Sequence, residues 1–279
     1  MIPNQYHFVF GLKPQTEAFH IVHYLCLASC LEVNRPGEIH FHYCHEPYGR
    51  WWDVIRERLT LHRLQPETFL VNHPGYLGHE EGRLIHRLGL DYAHHADFIR
   101  LKVLLEQGGV YADMDTLFVN PLPSSMFQES FVVAEEELRP ATGSGTGEKS
   151  VCNAVILSEP SAPFGARWLE EMYEVFDGSW SRHSCRALTE LTRRYPGEVY
   201  VAPQRYFFKY PCTREGIHIL LEGLDADFED VCSLHLWAHA WWDLERRDFS
   251  NFDAGRLSEH YIRSVDTTYS VAARRFLPG

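Results

Sequence analysis

The sequence predicts an α/β protein with a Rossmann-like, mostly parallel central sheet that is flanked by helices. Two observations carry this prediction. Short strands alternate with helices over residues 6–71, which favours βαβ units and hence parallel strands. Around residue 108, a helical pattern passes through two glycines directly into another short apolar segment. At 279 residues the chain could hold one large domain or two small ones, and we expect a single domain.

The elements of the first part follow from apolar periodicity and turn residues. Apolar residues three and four apart are typical of helices, and short β-branched or aromatic runs bounded by Gly or Pro are typical of strands. We therefore expect strands over 6–10, 38–43 and 68–71, and helices over 16–33, 48–61 and 84–88. Thr16 is the expected cap of its helix. Residues 73–95 are interpreted as a surface connection, with His94 and His95 as exposed capping residues or, alternatively, zinc ligands.

The same criteria apply to the rest of the chain. They predict helices over 97–106, 162–176, 181–195 and 255–276, and strands over 110–112, 117–119, 131–134, 153–157, 198–202 and 206–210. Residues 135–150 combine acids with a Gly/Thr-rich run, which predicts a mobile loop. This loop lacks the Gly-Lys-Ser/Thr ending of a phosphate-binding P-loop.

Composition narrows the classes of partner and compartment. The net charge of −12 argues against nucleic acid as a partner, because nucleic-acid binding needs clustered basic residues. We see no apolar run of membrane-spanning length and no secretion signal. Seven cysteines without a Cys-x-x-Cys pair favour reduced thiols in a cytoplasmic protein, and Cys26 and Cys30 are interpreted as small buried hydrophobes.

The most specific pattern ends at two acids. Gly108 and Gly109 follow the predicted helix, and the strand after them breaks at Asp113 and Asp115. Ionised carboxylates at the end of a buried strand need a cation or solvent. Oxygen ligands suit Mg²⁺, Mn²⁺ or Ca²⁺, which are often shared with phosphates. Two bare carboxylates would repel a diphosphate by about 4 kcal/mol per charge pair at 4 Å and an effective dielectric near 20. We therefore expect a metal together with a phosphate ligand, with a solvated turn as the alternative.

The full pattern resembles the sugar-nucleotide site of GT-A glycosyltransferases with a DXD sugar-binding motif, grouped as glycosyltransferase family 32. It is more distantly similar to the clostridial glucosylating toxins. The resemblance rests on the Asp97-x-x-Arg100 helix and on the string Gly108-Gly109-x-Tyr111-x-Asp113-x-Asp115. It implies a GT-A fold, in which residues 1–120 form the nucleotide-binding half and residues 121–279 the acceptor-side half with a closing C-terminal segment.

The resemblance also implies roles for the residues of this motif. Asp115, and Asp113 directly or through water, would hold Mn²⁺ or Mg²⁺. Arg100 would contact the diphosphate or the sugar through its fork of donors. Asp97 would accept hydrogen bonds from sugar hydroxyls and hold Arg100 in place. An exposed helix salt bridge is the alternative for Asp97 and Arg100.

Further donor-binding residues are implied outside the motif, and each has a structural alternative. Phe8, Phe10 and Gly11 lie at the first strand, where Phe10 would stack on uracil or pack in the core. Tyr111 belongs to the motif strand, and Asn153 would face the donor sugar or be satisfied by backbone.

A second concentration of unusual residues lies near the C-terminus. The His235-x-Trp237 segment resembles the stretch that returns to the diphosphate in related GT-A enzymes, and this resemblance implies that His235, with Trp237 beside it, would complete the metal shell. Alternatively, His235 and His239 would form a zinc pair, or this Trp-rich segment would pack in the core.

The implied reaction is transfer of a hexose-type sugar from a UDP-sugar to an acceptor, with retention of configuration. The acceptor is a saccharide, a protein or a small metabolite, and the 135–150 loop is expected to border its pocket. One alternative is a haloacid dehalogenase-like phosphatase using Asp113 and Asp115, although Leu117 stands where that motif has Thr or Val. Another is an inactive sugar-nucleotide-binding protein.

Overall fold

A computed structural model describes residues 1–65, 73–138, 148–238 and 255–279 of the chain. A seven-stranded sheet and a second, two-stranded sheet confirm the predicted α/β class. In chain order the strands are β1 (Gln5–Val9), β2 (Glu38–Tyr43), β3 (Thr60–Arg63), β4 (Gly109–Ala112), β5 (Thr116–Phe118), β6 (Phe131–Leu138), β7 (Glu148–Ser158), β8 (Tyr200–Ala202) and β9 (Ser233–His235).

The order of the large sheet is β3-β2-β1-β4-β7-β6-β8. Neighbouring strands are parallel except where β7 pairs with β4 and with β6. The sheet is therefore mostly parallel, as predicted, and strands from both halves of the chain belong to it. Strands β1 and β4 end at the same edge, which is the edge where open α/β sheets bind ligands.

Helices cover both faces of this sheet and complete two apolar layers. They are α1 (Ile21–Ser29), α2 (Arg50–Ile55), α3 (Gly75–Gly78), α4 (Glu80–Arg87), α5 (Asp91–Gln107), α6 (Pro163–Val175), α7 (Ala187–Arg194), α8 (Gln204–Phe208), α9 (Arg214–Leu221), α10 (Glu259–Ser264) and α11 (Thr268–Ala273). One layer contains α1, α2, α8 and the C-terminal helices. The other contains α5, α6 and α7. Side chains of a strand alternate between faces, so Phe8 packs in the first layer and Val9 in the second.

Four histidines share one face of strands β1 to β3. They are His7, His40, His42 and His62, and the first three are buried. Ring nitrogens of His7 and His42 are 3.1 Å apart, and those of His40 and His62 are 2.9 Å apart. Burial lowers the pKa of His7 to about 4 and that of His42 to about 3. These two histidines are therefore neutral in the folded protein at pH 7.

Several predicted elements differ in type or position. Of residues 206–210, predicted as a strand, 206–208 belong to helix α8, because a short apolar run does not distinguish a buried helix from a strand. In place of the helix predicted over 48–61, α2 ends at Ile55, a 3₁₀ turn covers Arg56–Arg58, and β3 begins at Thr60. The strand predicted over 68–71 lies outside the described residues. The helix predicted over 255–276 is two short helices, α10 and α11.

The predicted 135–150 loop is also corrected. Strand β6 continues to residue 138 and β7 begins at residue 148, and the Gly/Thr-rich residues between them lie outside the described residues. The start of the first helix is wrong too, because α1 begins at Ile21 and the His20 ring, rather than Thr16, accepts from the Val22 amide.

The interpretation of His94 and His95 as residues preceding the central helix is wrong. Helix α5 begins at Asp91 and includes both. His94 is fully buried, and its Nδ1 lies 2.9 Å from the hydroxyl of Tyr76. Only His94 is buried among residues 91–96, so this polar first part of the helix shows no apolar periodicity in the sequence.

Candidate functional site

The two acids of the DXD motif lie in a tight turn between β4 and β5, at the ligand-binding edge of the sheet. The amide of Asp113 donates to the carbonyl of Ala154 on β7 over 2.8 Å, and the amide of Thr116 donates back to the carbonyl of Asp113 over 3.0 Å. The Asp115 side chain is 11% exposed and that of Asp113 is 27% exposed. The turn therefore presents one nearly buried and one accessible carboxylate.

His235 reaches this turn through strand pairing. Strand β9 is antiparallel to β5, with His235 opposite Thr116. Its Nε2 lies 3.1 Å from Oδ1 of Asp115 and 3.8 Å from Oδ2 of Asp113. The backbone beyond β9 also holds Asp115, because the amide of Ala238 donates to Oδ2 of Asp115 over 2.8 Å.

These three side chains fit a divalent cation. One ligand atom from each of Asp113, Asp115 and His235 lies within 4.8 Å of the others. The buried Nδ1 of His235 has no hydrogen-bond partner among the described residues. Burial lowers the pKa of His235, but Asp115 and Asp113 outweigh burial and raise it to about 10. Protonated His235 balances the negative charge of the two carboxylates, and a bound cation would balance that charge instead.

Arg100 is a buried cation that joins the helix to the motif. Its guanidinium lies 3.1 Å from Oδ1 of Asp97 and 3.2 Å from Oδ1 of Asp113. It donates to the carbonyl of Asn153 over 2.8 Å and lies over the ring of Tyr111. Burial opposes its charge, but Asp113, Tyr111 and Asp97 raise its pKa further above the usual range. The alternative of an exposed helix salt bridge is therefore wrong.

Tyr111 and Asn153 take part in the same network. The hydroxyl of Tyr111 donates to Oδ1 of Asp113 over 2.7 Å. The Asn153 amide donates to Oδ1 of Asp97 over 2.7 Å. Asn153 thus has side-chain partners rather than the backbone partner that was the alternative for it. Strand β7 brings it there because Val155 pairs with Ala112 at the end of β4.

Asp97 is surrounded by protein donors. Besides Arg100 and Asn153, the ring of His183 lies 3.1 Å from its Oδ2. Burial disfavours the charged form, but Arg100 and His183 outweigh it and hold the pKa of Asp97 below its usual value. Both carboxylate oxygens already have partners, so the structure favours a positioning role for Asp97 over extensive contact with sugar hydroxyls.

Sequence reasoning missed His183, together with Cys185 and Glu136 close by. His183 and Cys185 lie in a π-helical turn, Arg182–Arg186, which contains a non-helical residue at Ser184. The pattern there looked like an ordinary amphipathic helix, and His-x-Cys was the one unusual feature. The turn directs the His183 ring to Asp97 and the Cys185 thiol to within 3.5 Å of Oδ1 of Asn153.

The remaining predicted residues lie around the edge of this network. Phe10 is half-buried against Phe19 and His23, beside the turn at Gly11. Phe8 is fully buried in the core, so we do not retain it as a donor-binding residue. Trp237 is 2% exposed and its indole donates to the carbonyl of Tyr210 over 2.9 Å. His239 and the zinc pair it would form lie outside the described residues.

Comparison with known proteins gives three kinds of match. The family model described as "Glycosyltransferase sugar-binding region containing DXD motif" matches residues 68–132. Glucan organizing enzyme 1 of Cryptococcus neoformans var. grubii is 31% identical over an alignment of 283 residues. The alignment covers 99% of this chain and 71% of that protein.

Two solved structures show a partial likeness to this chain. PaToxG glycosyltransferase has a TM-score of 0.48 and 16% identity, covering 70% of this chain and 71% of that one. Glycosyltransferase GlyE of Streptococcus pneumoniae TIGR4 has a TM-score of 0.47 and 14% identity, covering 99% of this chain and 63% of that one. The sequence relative and the matched motif carry the assignment, and they agree with the resemblance found from the sequence: the chain belongs to the DXD-motif glycosyltransferases.

Proposed function

We propose that the chain transfers a hexose-type sugar from a UDP-sugar to an acceptor, with Mn²⁺ bound at Asp113, Asp115 and His235. The observation that carries the proposal is the meeting of these three side chains, two from one turn and one from β9, within 4.8 Å. When bound, the cation supplies Lewis-acid stabilisation of the leaving diphosphate. No general acid is then required for the leaving group.

The side chains around the motif hold this arrangement in place. Arg100 bridges Asp97 and Asp113, and its position beside the exposed acid suits contact with a diphosphate or a sugar hydroxyl. Tyr111 fixes Oδ1 of Asp113 through its hydroxyl, which leaves Oδ2 facing His235 for the metal. Asp97 and Asn153 orient Arg100 from the opposite side.

We assign the nucleoside to the half formed by residues 1–120. Phe10 is half-buried and stands at the end of β1, where its ring could stack on uracil. Gly11 permits the turn beside it. Trp237 packs at a centroid distance of 4.4 Å from His235 and so limits the movement of that ring. Residues 121–279 would supply the acceptor side, and the two halves together would form one domain.

The acceptor and the stereochemistry are proposed more broadly. Retention of configuration is proposed from the family resemblance. Among the described residues, the carboxylates of Asp97, Asp113 and Asp115 each have other partners, so we assign no nucleophile. Of the three acceptor classes, a saccharide is favoured by the name of the relative, which connects that protein with glucan. Membership of the family argues against a phosphatase.

A cytoplasmic location is proposed from the seven free cysteines. In the described part of the chain, no helix combines the length and the apolar character needed to cross a membrane.

The test is hydrolysis and transfer with a panel of UDP-sugars, with Mn²⁺ or with chelator. We expect Mn²⁺-dependent release of UDP that Asp115→Ala abolishes. Glu259→Ala, in surface pairs with Arg50 and Arg263, should retain activity as the matched control. Binding of UDP with Mn²⁺ but no release from any sugar would instead identify an inactive binder. Phosphate release from a phosphomonoester that depends on Asp113 would support the phosphatase.

A further inference from the structure

A second cluster of metal-ligating side chains lies beside the proposed donor site. Within the described ranges, Glu136 on β6, Cys152 on β7 and Cys185 in the π-helical turn bring one carboxylate oxygen and two sulfurs within 4.8 Å of one another. Glu136 is 7% exposed and Cys152 is 4% exposed. Neither the DXD motif nor the proposed reaction uses any of these three residues.

Glu136 is a buried acid in a cluster that contains no basic residue. Burial raises the pKa of Glu136, and hydrogen bonds with Cys152, Cys185 and Ser150, together with the charge of nearby His235, offset burial only in part. Burial likewise raises the pKa of the Cys152 thiol. Burial thus favours the protonated forms of Glu136 and Cys152, and a bound cation would displace such protons, as metals do when they bind thiols.

The local backbone is shaped to make this cluster. Ser184 breaks the helical geometry of the Arg182–Arg186 turn, with φ −95° and ψ −105°. This break lets His183 and Cys185, two residues apart, both face the sheet. Cys152 pairs with Ala134 across β6 and β7, so Glu136, two residues further along β6, lies on the same face as Cys152. π-helical turns occur frequently at functional sites.

We propose that Glu136, Cys152 and Cys185 form a second metal site, for a thiophilic divalent cation of the Zn²⁺ class. Two thiolates and one carboxylate are a ligand set that Zn²⁺ accepts, with a fourth position open to water or another ligand. The Asp113, Asp115 and His235 site offers mostly oxygen and therefore prefers harder ions. The two sites differ in ligand softness, so each should select its own metal. The second site would exist whether or not the chain transfers a sugar.

The experiment uses Cd²⁺ as a probe of thiolate coordination. The reduced full chain, with saturating Mg²⁺ to occupy the oxygen-rich site, is titrated with Cd²⁺ while ultraviolet charge-transfer absorption is recorded. We expect stoichiometric binding with a thiolate band. Cys152→Ser and Cys185→Ser should each lower the band by about half, since each removes one of two thiolates. Glu136→Gln should keep the band but weaken Cd²⁺ binding by about tenfold or more.

Two controls make the result decisive. Cys232→Ser removes a buried thiol that contacts the carbonyl of Pro121, outside the cluster, and should leave the band unchanged. Asp115→Asn should also leave it unchanged, which separates this site from the DXD motif. The proposal is overturned by an absent band in the wild type, by a band that survives in the Cys152→Ser/Cys185→Ser double variant, or by a band that Asp115→Asn removes. Thermal unfolding of each variant shows whether a lost band reflects a lost fold.

Discussion

The buried carboxylate of Asp97 should be a principal source of stability at the site, and replacing it by Asn tests this. The change keeps the shape of the side chain but removes the charge that faces Arg100 at 3.1 Å and His183 at 3.1 Å. Removing one partner of a buried ion pair costs about 3–5 kcal/mol. Arg100 keeps Asp113 as a second partner at 3.2 Å, so we expect the lower end, about 3 kcal/mol.

Urea unfolding at pH 7 measures this loss. The matched control is Glu259→Gln, which pairs at the surface with both Arg50 and Arg263, and for which we expect at most about 1 kcal/mol. His183→Gln should cost less in the Asp97→Asn background than alone, because both changes remove the same contact. If Asp97→Asn is no more destabilising than Glu259→Gln, the account of Asp97 as a buried anchor for Arg100 is wrong.

The pH dependence gives a further check on the same residue. The pKa of Asp97 is lower in the folded protein than its usual value of 3.8. Its contribution to stability is therefore complete above that value and is lost as the pH falls through the folded pKa. The difference between wild type and Asp97→Asn should be constant near neutrality and should narrow only in acid.

Three other predictions concern the turn, the histidines and the metal. Gly11→Ala should lower the free energy of unfolding by more than about 1 kcal/mol, because φ of Gly11 is +68° and a Cβ there would lie 2.3 Å from the carbonyl oxygen of His45. Gly197→Ala is the control, since a Cβ at Gly197 would have no atom within 4 Å. His42 should contribute a loss of roughly 3 kcal/mol between pH 6.5 and pH 4, because burial lowers its folded pKa to about 3 and the unfolded chain takes up the proton. Other buried histidines add to this loss, so His42→Phe should make the urea-midpoint profile less steep over this range. His235→Gln should raise the Mn²⁺ concentration needed for half-maximal UDP binding by about tenfold or more, with calorimetry as the readout and an unchanged value as the contrary result.

The sequence was sufficient for the features that depend on local chemistry. The glycine doublet ended α5 and began β4 where predicted, because both glycines adopt positive φ and a Cβ at Gly109 would lie 2.5 Å from the carbonyl oxygen of Gln5. The spacing from Asp97 to Asp115 was sufficient for the family, since these residue types at these intervals are rare by chance.

Short apolar segments were less informative. Residues 206–210 were predicted as a strand, but 206–208 belong to helix α8. The end of the helix predicted over 48–61 lies in strand β3. In each case the apolar run fits either structure, and the choice depends on neighbours that are distant in sequence.

The sequence by itself determined the fold class, the family and the acids that define the motif. Only the tertiary structure decided that Arg100 is a buried bridge, that His183 supports Asp97, and that Glu136 lies with Cys152 and Cys185. The physical reason is that these contacts join residues far apart along the chain, through strand pairing and one irregular helical turn. Local periodicity carries no information about such distances, whereas glycine conformation and helical spacing are local properties.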